Sequence, residues 1–398
     1  MPKLEDATKV ADSIPWPGWR DDLPYSRVET EEHATRGVSI TEYAQWLYKA
    51  ERQWMHIQPW LAGQGYMLRP RFRPEWVPSW IGTKKIVGLC EDSVSHSDVY
   101  AARTIDAVRI SDGRRVLIKR ISVSVDDSQE LEVTQFLSAK ERRKDPRNHA
   151  IPLLDVIRVP EHCFLVFPLY RGLPQIGEDF NTLGEGLDFA QQVLEGLDYL
   201  HEQGVAHRDC AISNIVMDGD RMFPHGFQPD NPAVDWRGRS VHPRTRTQVG
   251  GVRYYFIDFG ESMKFESSSG VLTNVRTKAS IHAPELLVSM DFLYDPFKID
   301  VYAIGMTLQE SLVQEYPGYF DMLSPLLEAM TLEDPARRPS AQEALAQFCA
   351  IKATYSRTAL HAHVRSEYFS TKFPGRHIFR DAWHWTKQIA FAIRNRSW

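Results

Sequence analysis

Apolar and polar positions follow two rhythms along this chain, and the change falls near residue 84. Upstream, Tyr43, Leu47, Ala50, Trp54, Ile57 and Leu61 recur at three- to four-residue steps, the spacing that places them on one helix face. Ser39-Ile40-Thr41-Glu42 stands before them in the form of a capping box, and Pro59 perturbs the far end. Residues 65–80 then interleave prolines with Phe72, Trp76 and Trp80, which predicts an extended strap lying on a folded surface. From Lys84 the apolar runs shorten to strand length: Lys85–Leu89, Asp98–Ala102 and Arg115–Lys119, parted by polar turns such as Ser111-Asp112-Gly113. Asp126-Asp127-Ser128 opens a helix through ELEVTQFL, and strands follow at Ile151–Val156 and Cys163–Val166. Beyond them the helical period returns. Helices are predicted over Phe189–His201, Ile299–Gln314 and Ser340–Ile351, the last starting with the capping box Ser340/Glu343, and a buried strand over Tyr254–Ile257.

Composition narrows the partners rather than the fold. Charge is nearly balanced, 47 basic against 52 acidic residues, so no nucleic-acid or membrane-surface partner is implied. Cys90, Cys163, Cys210 and Cys349 share no paired spacing, which argues against a zinc cluster or a disulfide framework and fits a reducing compartment. Residues 1–38 are polar and proline-punctuated, with no basic-then-apolar signal, and no run approaches 18 apolar residues. The expectation is an intracellular protein, cytoplasmic or nuclear, with no membrane span.

Candidate chemistry lies in three short motifs. They are His207-Arg208-Asp209 with Asn214 five residues after the aspartate, Asp258-Phe259-Gly260 directly after the buried strand, and Ala283-Pro284-Glu285. Singly, each aspartate reads as a turn or cap residue. Together, in this order and between these elements, they resemble the eukaryotic protein kinase catalytic core over roughly residues 84 to 350. The resemblance implies an α+β, bilobal fold: a small five-stranded β lobe with one helix, and a larger, mainly helical lobe. It divides the chain into an N-terminal extension (1–83, partly disordered, with one amphipathic helix), a small lobe (84–170), a large lobe (171–350) with an insertion at about 219–252, and a C-terminal extension (351–398).

What the resemblance implies for each residue follows from phosphoryl transfer, which needs a held triphosphate, neutralised charge and an aimed acceptor. ATP and Mg²⁺ are the implied cofactors and a protein the implied substrate. Asp209 takes the catalytic-base position, assisted by Lys119 and Arg208, and Asn214 and Asp258 are the implied metal ligands. Lys119 also belongs to the implied ATP site, with Glu130 on the following helix as its partner (Glu132 being the alternative) and Val99, Leu117, Phe167, Leu169 and Val216 as further contacts. His207, Phe259, Gly260, Glu285, Asp300 and Arg338 are implied to be structural, Glu285 with Arg338 as a buried ion pair and Asp300 holding the catalytic loop backbone.

The chain departs from the family where phosphates are held. Aligned on Val99, the three positions where the family has glycine carry Asp92, Val94 and Ser97, although glycine is what lets backbone amides approach phosphate closely. Leu117 stands where alanine is usual above the base, and Ala211 and Ser213 replace the usual γ-phosphate cations. The leading expectation is a protein kinase acting on serine or threonine hydroxyls, and the alternative a pseudokinase that binds nucleotide or protein. Arg237, Arg239, Arg244 and Arg246 make the insertion basic, so its segment 237–246 is a candidate dock for an acidic or phosphorylated partner. Arg208 implies a phosphate on the activation segment, with Thr273 or Thr277 favoured over Ser267, Ser268 and Ser269. Its alternative is an Arg208 packed against backbone carbonyls. The aromatic tail from Thr354 is expected to pack back on the body.

Overall fold

The computed structural model describes residues 14–20, 44–45, 47, 49–93, 103–122, 125–173, 179–287, 292–367 and 385–386. The chain forms two compact units. The first comprises Met1–Ser128, Pro152–Leu169 and Phe223–His242; the second comprises Gln129–Ile151, Tyr170–Met222 and Pro243–Trp398.

The first unit is one sheet covered on one face. Helix α1 (Lys49–Gly63) leads into β1 (Tyr66–Leu68), then β2 (Thr104–Arg109) and β3 (Arg115–Ser122). Helix α2 (Val125–Leu137) follows, its residues from Gln129 on belonging to the second unit, and β4 (Asp155–Arg158) and β5 (His162–Pro168) complete the antiparallel order β1-β2-β3-β5-β4. Alternation along the strands sorts the side chains. Ile105, Ala107, Val116, Ile118, Phe164 and Val166 bury themselves with Trp54, Ile57 and Leu61 of α1, while Trp16 packs edge-on against Trp60 with ring centres 4.5 Å apart. Each fully buried Val, Ile, Leu or Phe among them contributes about 1.5–3 kcal/mol. A bidentate pair holds the chain after β1 to the helix, with Arg71 Nε and Nη2 donating to Glu51 at 2.7 and 2.9 Å.

This differs from the sequence expectation in one consequential way. The strand expected at Lys85–Leu89 is a 3-10 turn over Val87–Leu89 with Ile86 exposed, and the first strand lies instead at Tyr66–Leu68, inside the expected strap. Residues 66–72 therefore share a core with the sheet rather than belonging to a separate extension. Asp98–Ala102 and the Ser39–Glu42 capping box lie outside the described residues.

The second unit is mainly helical. Helix α3 (Leu183–Glu202) starts at Thr182, whose hydroxyl accepts from the amide of Glu185 at 3.1 Å, and buries Leu187, Ala190, Leu194 and Leu197. Two small antiparallel sheets follow. One pairs β6 (Arg171–Gly172), β8 (Ile215–Met217) and β9 (Tyr254–Phe256); the other pairs β7 (Val205–Ala206) with β10 (Met263–Lys264). Helix α4 (Pro296–Leu308) is capped by Asp295 with Pro296 in its first turn, and runs on as a π-helical turn, Gln309–Gln314. Helices α5 (Ser324–Met330), α6 (Ala341–Ala353) and α7 (Arg357–Leu360) close the unit, and the expected Ser340/Glu343 capping box is present. The tail does pack back as far as it is described: the amide of Leu183 donates to Ala362 O at 2.9 Å.

Candidate active site

The loop after β7 carries the first motif, and a buried carboxylate fixes its backbone. Asp300, 1% exposed, accepts from the amides of His207 at 2.7 Å and Arg208 at 2.6 Å, with His201 Nε2 at 3.1 Å. Two charge-assisted bonds to one carboxylate offset the strain at Arg208, a non-glycine residue at φ +67°. His207 is pinned from its other side, Nε2 lying 3.0 Å from Ile257 O and its ring 5.1 Å from Phe259. Asp209 thus stands on a doubly anchored turn. Asn214 Nδ2 donates to Asp209 O at 2.9 Å and to its Oδ2 at 2.8 Å, and the amide of Ser280 donates to Oδ1 at 2.8 Å. Cys210 next to it is no nucleophile. Complete burial, with the charges of Asp300 and Asp209 adding to it, drives its thiol pKa far up.

The second motif follows β9. Asp258 adopts φ +60°, is exposed, and its Oδ1 accepts from the amide of Gly260 at 3.3 Å, while Phe259 turns into the core. A Cβ on Gly260 would lie 3.1 Å from Asp258 Oδ1, a tight contact, and 3.6 Å from Glu130 Oε2, an ordinary one, so this turn and helix α2 meet here. This separates the two glutamates of α2: Glu130 is buried and Glu132 exposed.

The chemistry of the donors fits Mg²⁺. Asn214 spends its amide nitrogen on Asp209, which leaves the side-chain oxygen as its ligand atom, and Asp258 adds a carboxylate. Hard cations take such oxygens, and Mg²⁺ keeps waters and substrate phosphates in its remaining positions.

Lys119, Leu117, Phe167 and Leu169 belong to the first unit; Asp209, Asn214, Val216, Glu130 and Asp258 belong to the second. Lys119 is half-buried on β3 between Thr104 and Leu165, on the sheet face opposite α1, and Leu117 faces Asp106 and Phe167. Val99, Val94 and Ser97 lie outside the described residues. Asp92 requires a correction. It is 4% exposed, its Oδ2 accepts from Ser79 N at 2.8 Å and Trp76 Nε1 at 3.0 Å, and its Oδ1 from Ser79 Oγ at 2.7 Å. The carboxylate therefore anchors the β1–β2 connection, residues 69–103, and does not stand in a phosphate loop.

Glu285 and Arg338 form the expected pair, both buried, with Nη1 and Nη2 each 2.7 Å from a carboxylate oxygen. The basic insertion is less available than its sequence implies. Arg246 is buried and donates to Tyr254 Oη at 2.8 Å, and Arg239 pairs with Asp235 at 2.6 Å while staying exposed, as Arg237 and Arg244 are. Sequence reasoning missed the ion cluster of the first unit entirely. Arg69, 2% exposed, lies 2.9 Å from both Asp106 and Asp230, and Arg115 lies 2.9 Å from Glu91 with its guanidinium 3.3 Å above the Trp236 ring. No short motif announces such a cluster, because its members are spread over 168 positions.

Residues 100–324, which contain all three motifs, match the protein kinase domain family model. The chain belongs to the protein kinase family. Among its relatives, this kinase is 30% identical over 171 residues to an abscisic acid-inducible protein kinase of Triticum aestivum, covering 41% of each chain. It is 25% identical over 244 residues to a calcium/calmodulin-dependent protein kinase type 1 of Macrobrachium nipponense, covering 58% of this chain and 59% of that one. With the serine/threonine-protein kinase shk1/pak1 of Schizosaccharomyces pombe it shares 24% over 228 residues, 56% of this chain and 28% of that one. The kinase thus spans less than two thirds of the length of the curated relatives it matches. Among its described residues no helix is long and apolar enough to cross a membrane.

Proposed function

We propose that this kinase transfers the γ-phosphoryl group of Mg-ATP to serine or threonine hydroxyls of protein substrates. The observation that carries the reading is the Asp209 carboxylate, held by Asn214 on a loop that Asp300 fixes, in the same unit as an exposed Asp258. Mg-ATP, when bound, supplies the phosphoryl group and, through its cation, charge neutralisation. Asn214 and Asp258 would hold the cation. Asp209 orients the acceptor hydroxyl and takes its proton as that oxygen bonds to phosphorus and the bond to the β-phosphate oxygen breaks, releasing ADP. The serine/threonine preference draws on relatives such as the serine/threonine-protein kinase shk1/pak1.

A pseudokinase reading has its own support. The Ser280 amide already occupies one oxygen of Asp209. Radiolabelled phosphate incorporation by wild type, Asp209→Asn and Asp258→Asn separates the two. The transferase reading requires Mg-dependent incorporation by wild type and a loss of at least a hundred-fold in both variants; equal incorporation by all three would sink it. Nucleotide or partner binding without transfer would favour the scaffold.

A further inference from the structure

A buried guanidinium must find acceptors for its five N–H donors. Arg208 is 4% exposed, and among the described residues its side chain meets no carboxylate and its Nε no acceptor, so the two Nη groups carry its pairing. Its Nη1 donates to Glu261 O at 3.0 Å, and its Nη2 to Tyr294 Oη at 2.8 Å and to Val275 O. Tyr294, also 4% exposed, completes the arrangement, because its hydroxyl accepts from Arg208 and donates to the carbonyl of Val275. Its backbone bridges Thr273 by two N–H to O=C bonds of 2.9 Å. Burial holds the hydroxyl pKa above its usual value, Arg208 opposing, so the proton needed for Val275 stays in place at neutral pH.

The contacts continue along the activation segment. Thr277 Oγ1 donates to Arg208 O at 3.2 Å, the amide of Lys278 donates to a Glu261 carboxylate oxygen at 2.9 Å, and the amide of Ser280 reaches Asp209 Oδ1 at 2.8 Å. The hydroxyls named as phosphate acceptors are already in use, for Thr273 is 7% exposed and its Oγ1 accepts from the Val275 amide at 3.1 Å.

We propose that Tyr294 is a positioning residue of the phosphoryl-transfer site: its hydroxyl takes at Arg208 the acceptor role of an activation-segment phosphate, so that residues 273–280 are ordered against Asp209 without modification. The proposal rests on the transferase reading for its kinetic consequence but not for its structural one. Tyr294 acts through Arg208 and the segment, not on substrate. Removing its hydroxyl deletes one acceptor of a buried cation and one donor to Val275, and a hydrogen bond to a charged group is strong enough for about a ten-fold effect or more.

The test uses the full chain in three forms: as expressed, treated with a broad-specificity phosphatase, and carrying Tyr294→Phe. Amide hydrogen exchange of residues 273–282 and the kcat and KM of phosphate incorporation are measured on each. Dephosphorylated wild type is expected to keep both its exchange protection and its kcat. Tyr294→Phe is expected to exchange about ten-fold faster across 273–282 and to lose kcat by a similar factor, with KM for ATP unchanged. Loss of protection on dephosphorylation, or a Tyr294→Phe protein unchanged in exchange and kcat, would overturn the proposal. If the variant does not fold, the phosphatase comparison on wild type decides alone. If wild type transfers no phosphate, the transferase reading fails and the exchange data still decide the positioning.

Discussion

Replacing Glu285 by glutamine tests whether the pair with Arg338 fixes the segment after Ala283-Pro284. Both side chains are buried, Arg338 to 2%, and every guanidinium nitrogen is used: Nη1 on Glu285 and Lys298 O (3.1 Å), Nη2 on Glu285 and Glu333 O (3.2 Å), Nε on Leu332 O (2.7 Å). Glutamine keeps one acceptor but turns an NH₂ group toward an Arg338 donor and removes the carboxylate charge paired with the cation. Leaving a buried ion uncompensated costs about 3–5 kcal/mol. At about 2–4 °C per kcal/mol for a unit of this size, the melting temperature should fall by on the order of 10 °C. Calorimetry on wild type, Glu285→Gln and the double variant Glu285→Met/Arg338→Leu checks the reasoning. The double variant removes both charges and should recover most of the loss, because two apolar groups of similar shape can replace a buried pair nearly neutrally. A single variant within about 1 kcal/mol of wild type would refute the argument.

Three further outcomes follow from the geometry. His149 is buried with Nδ1 2.7 Å from Tyr254 O, and desolvation lowers its pKa to about 4 from 6.5, so its contribution is complete above pH 6.5 and is lost as pH falls toward 4; urea titrations should show a loss of roughly 3 kcal/mol over that window, absent in His149→Gln. Asp92→Ala should cost about 1–3 kcal/mol by stranding the donors of Ser79 and Trp76 while leaving ATP affinity by calorimetry unchanged, and tighter ATP binding would return Asp92 to the phosphate loop. Trp54→Ala, in the centre of the core under the sheet, should cost about 3–5 kcal/mol in denaturant melts, and a neutral result would mean that α1 is not part of that core.

The second unit was far more legible in the sequence than the first, and the reason is spacing. Asp209 and Asn214 lie five residues apart, so a short turn is enough to bring the amide of one onto the carboxylate of the other. Asp258 comes two residues after the end of β9, and a side chain at Gly260 would press on the Asp258 carboxylate at 3.1 Å. Local constraints of this kind leave a residue pattern behind. The alternative for Arg208, packing against carbonyls, was also open in the sequence. What could not be read was Tyr294, 86 positions later, because a tyrosine hydroxyl between a guanidinium and a carbonyl has no sequence signature.

The first unit misled for a complementary reason. Lys85–Leu89 has strand-like alternation, but a strand forms only where a neighbour can pair with it, and β2 is taken by Tyr66–Leu68, whose residues also bury against α1. The basic insertion misled in the same way. Its arginines look solvated when counted along the chain, yet residues 223–242 fold into the first unit, where Asp230 serves Arg69, Asn231 donates to Gly88 O at 2.9 Å, and Trp236 stacks under Arg115. Gly238 is required by that packing, since at φ +73° a Cβ would lie 2.3 Å from Leu89 O. Once Arg69 is buried its charge must be matched within hydrogen-bonding reach, and Asp106 is also within 3.6 Å of Arg115. A second carboxylate from elsewhere in the chain meets that need. The insertion is thereby bound to the sheet by charge, stacking and close backbone contact at once, which a free docking arm could not be.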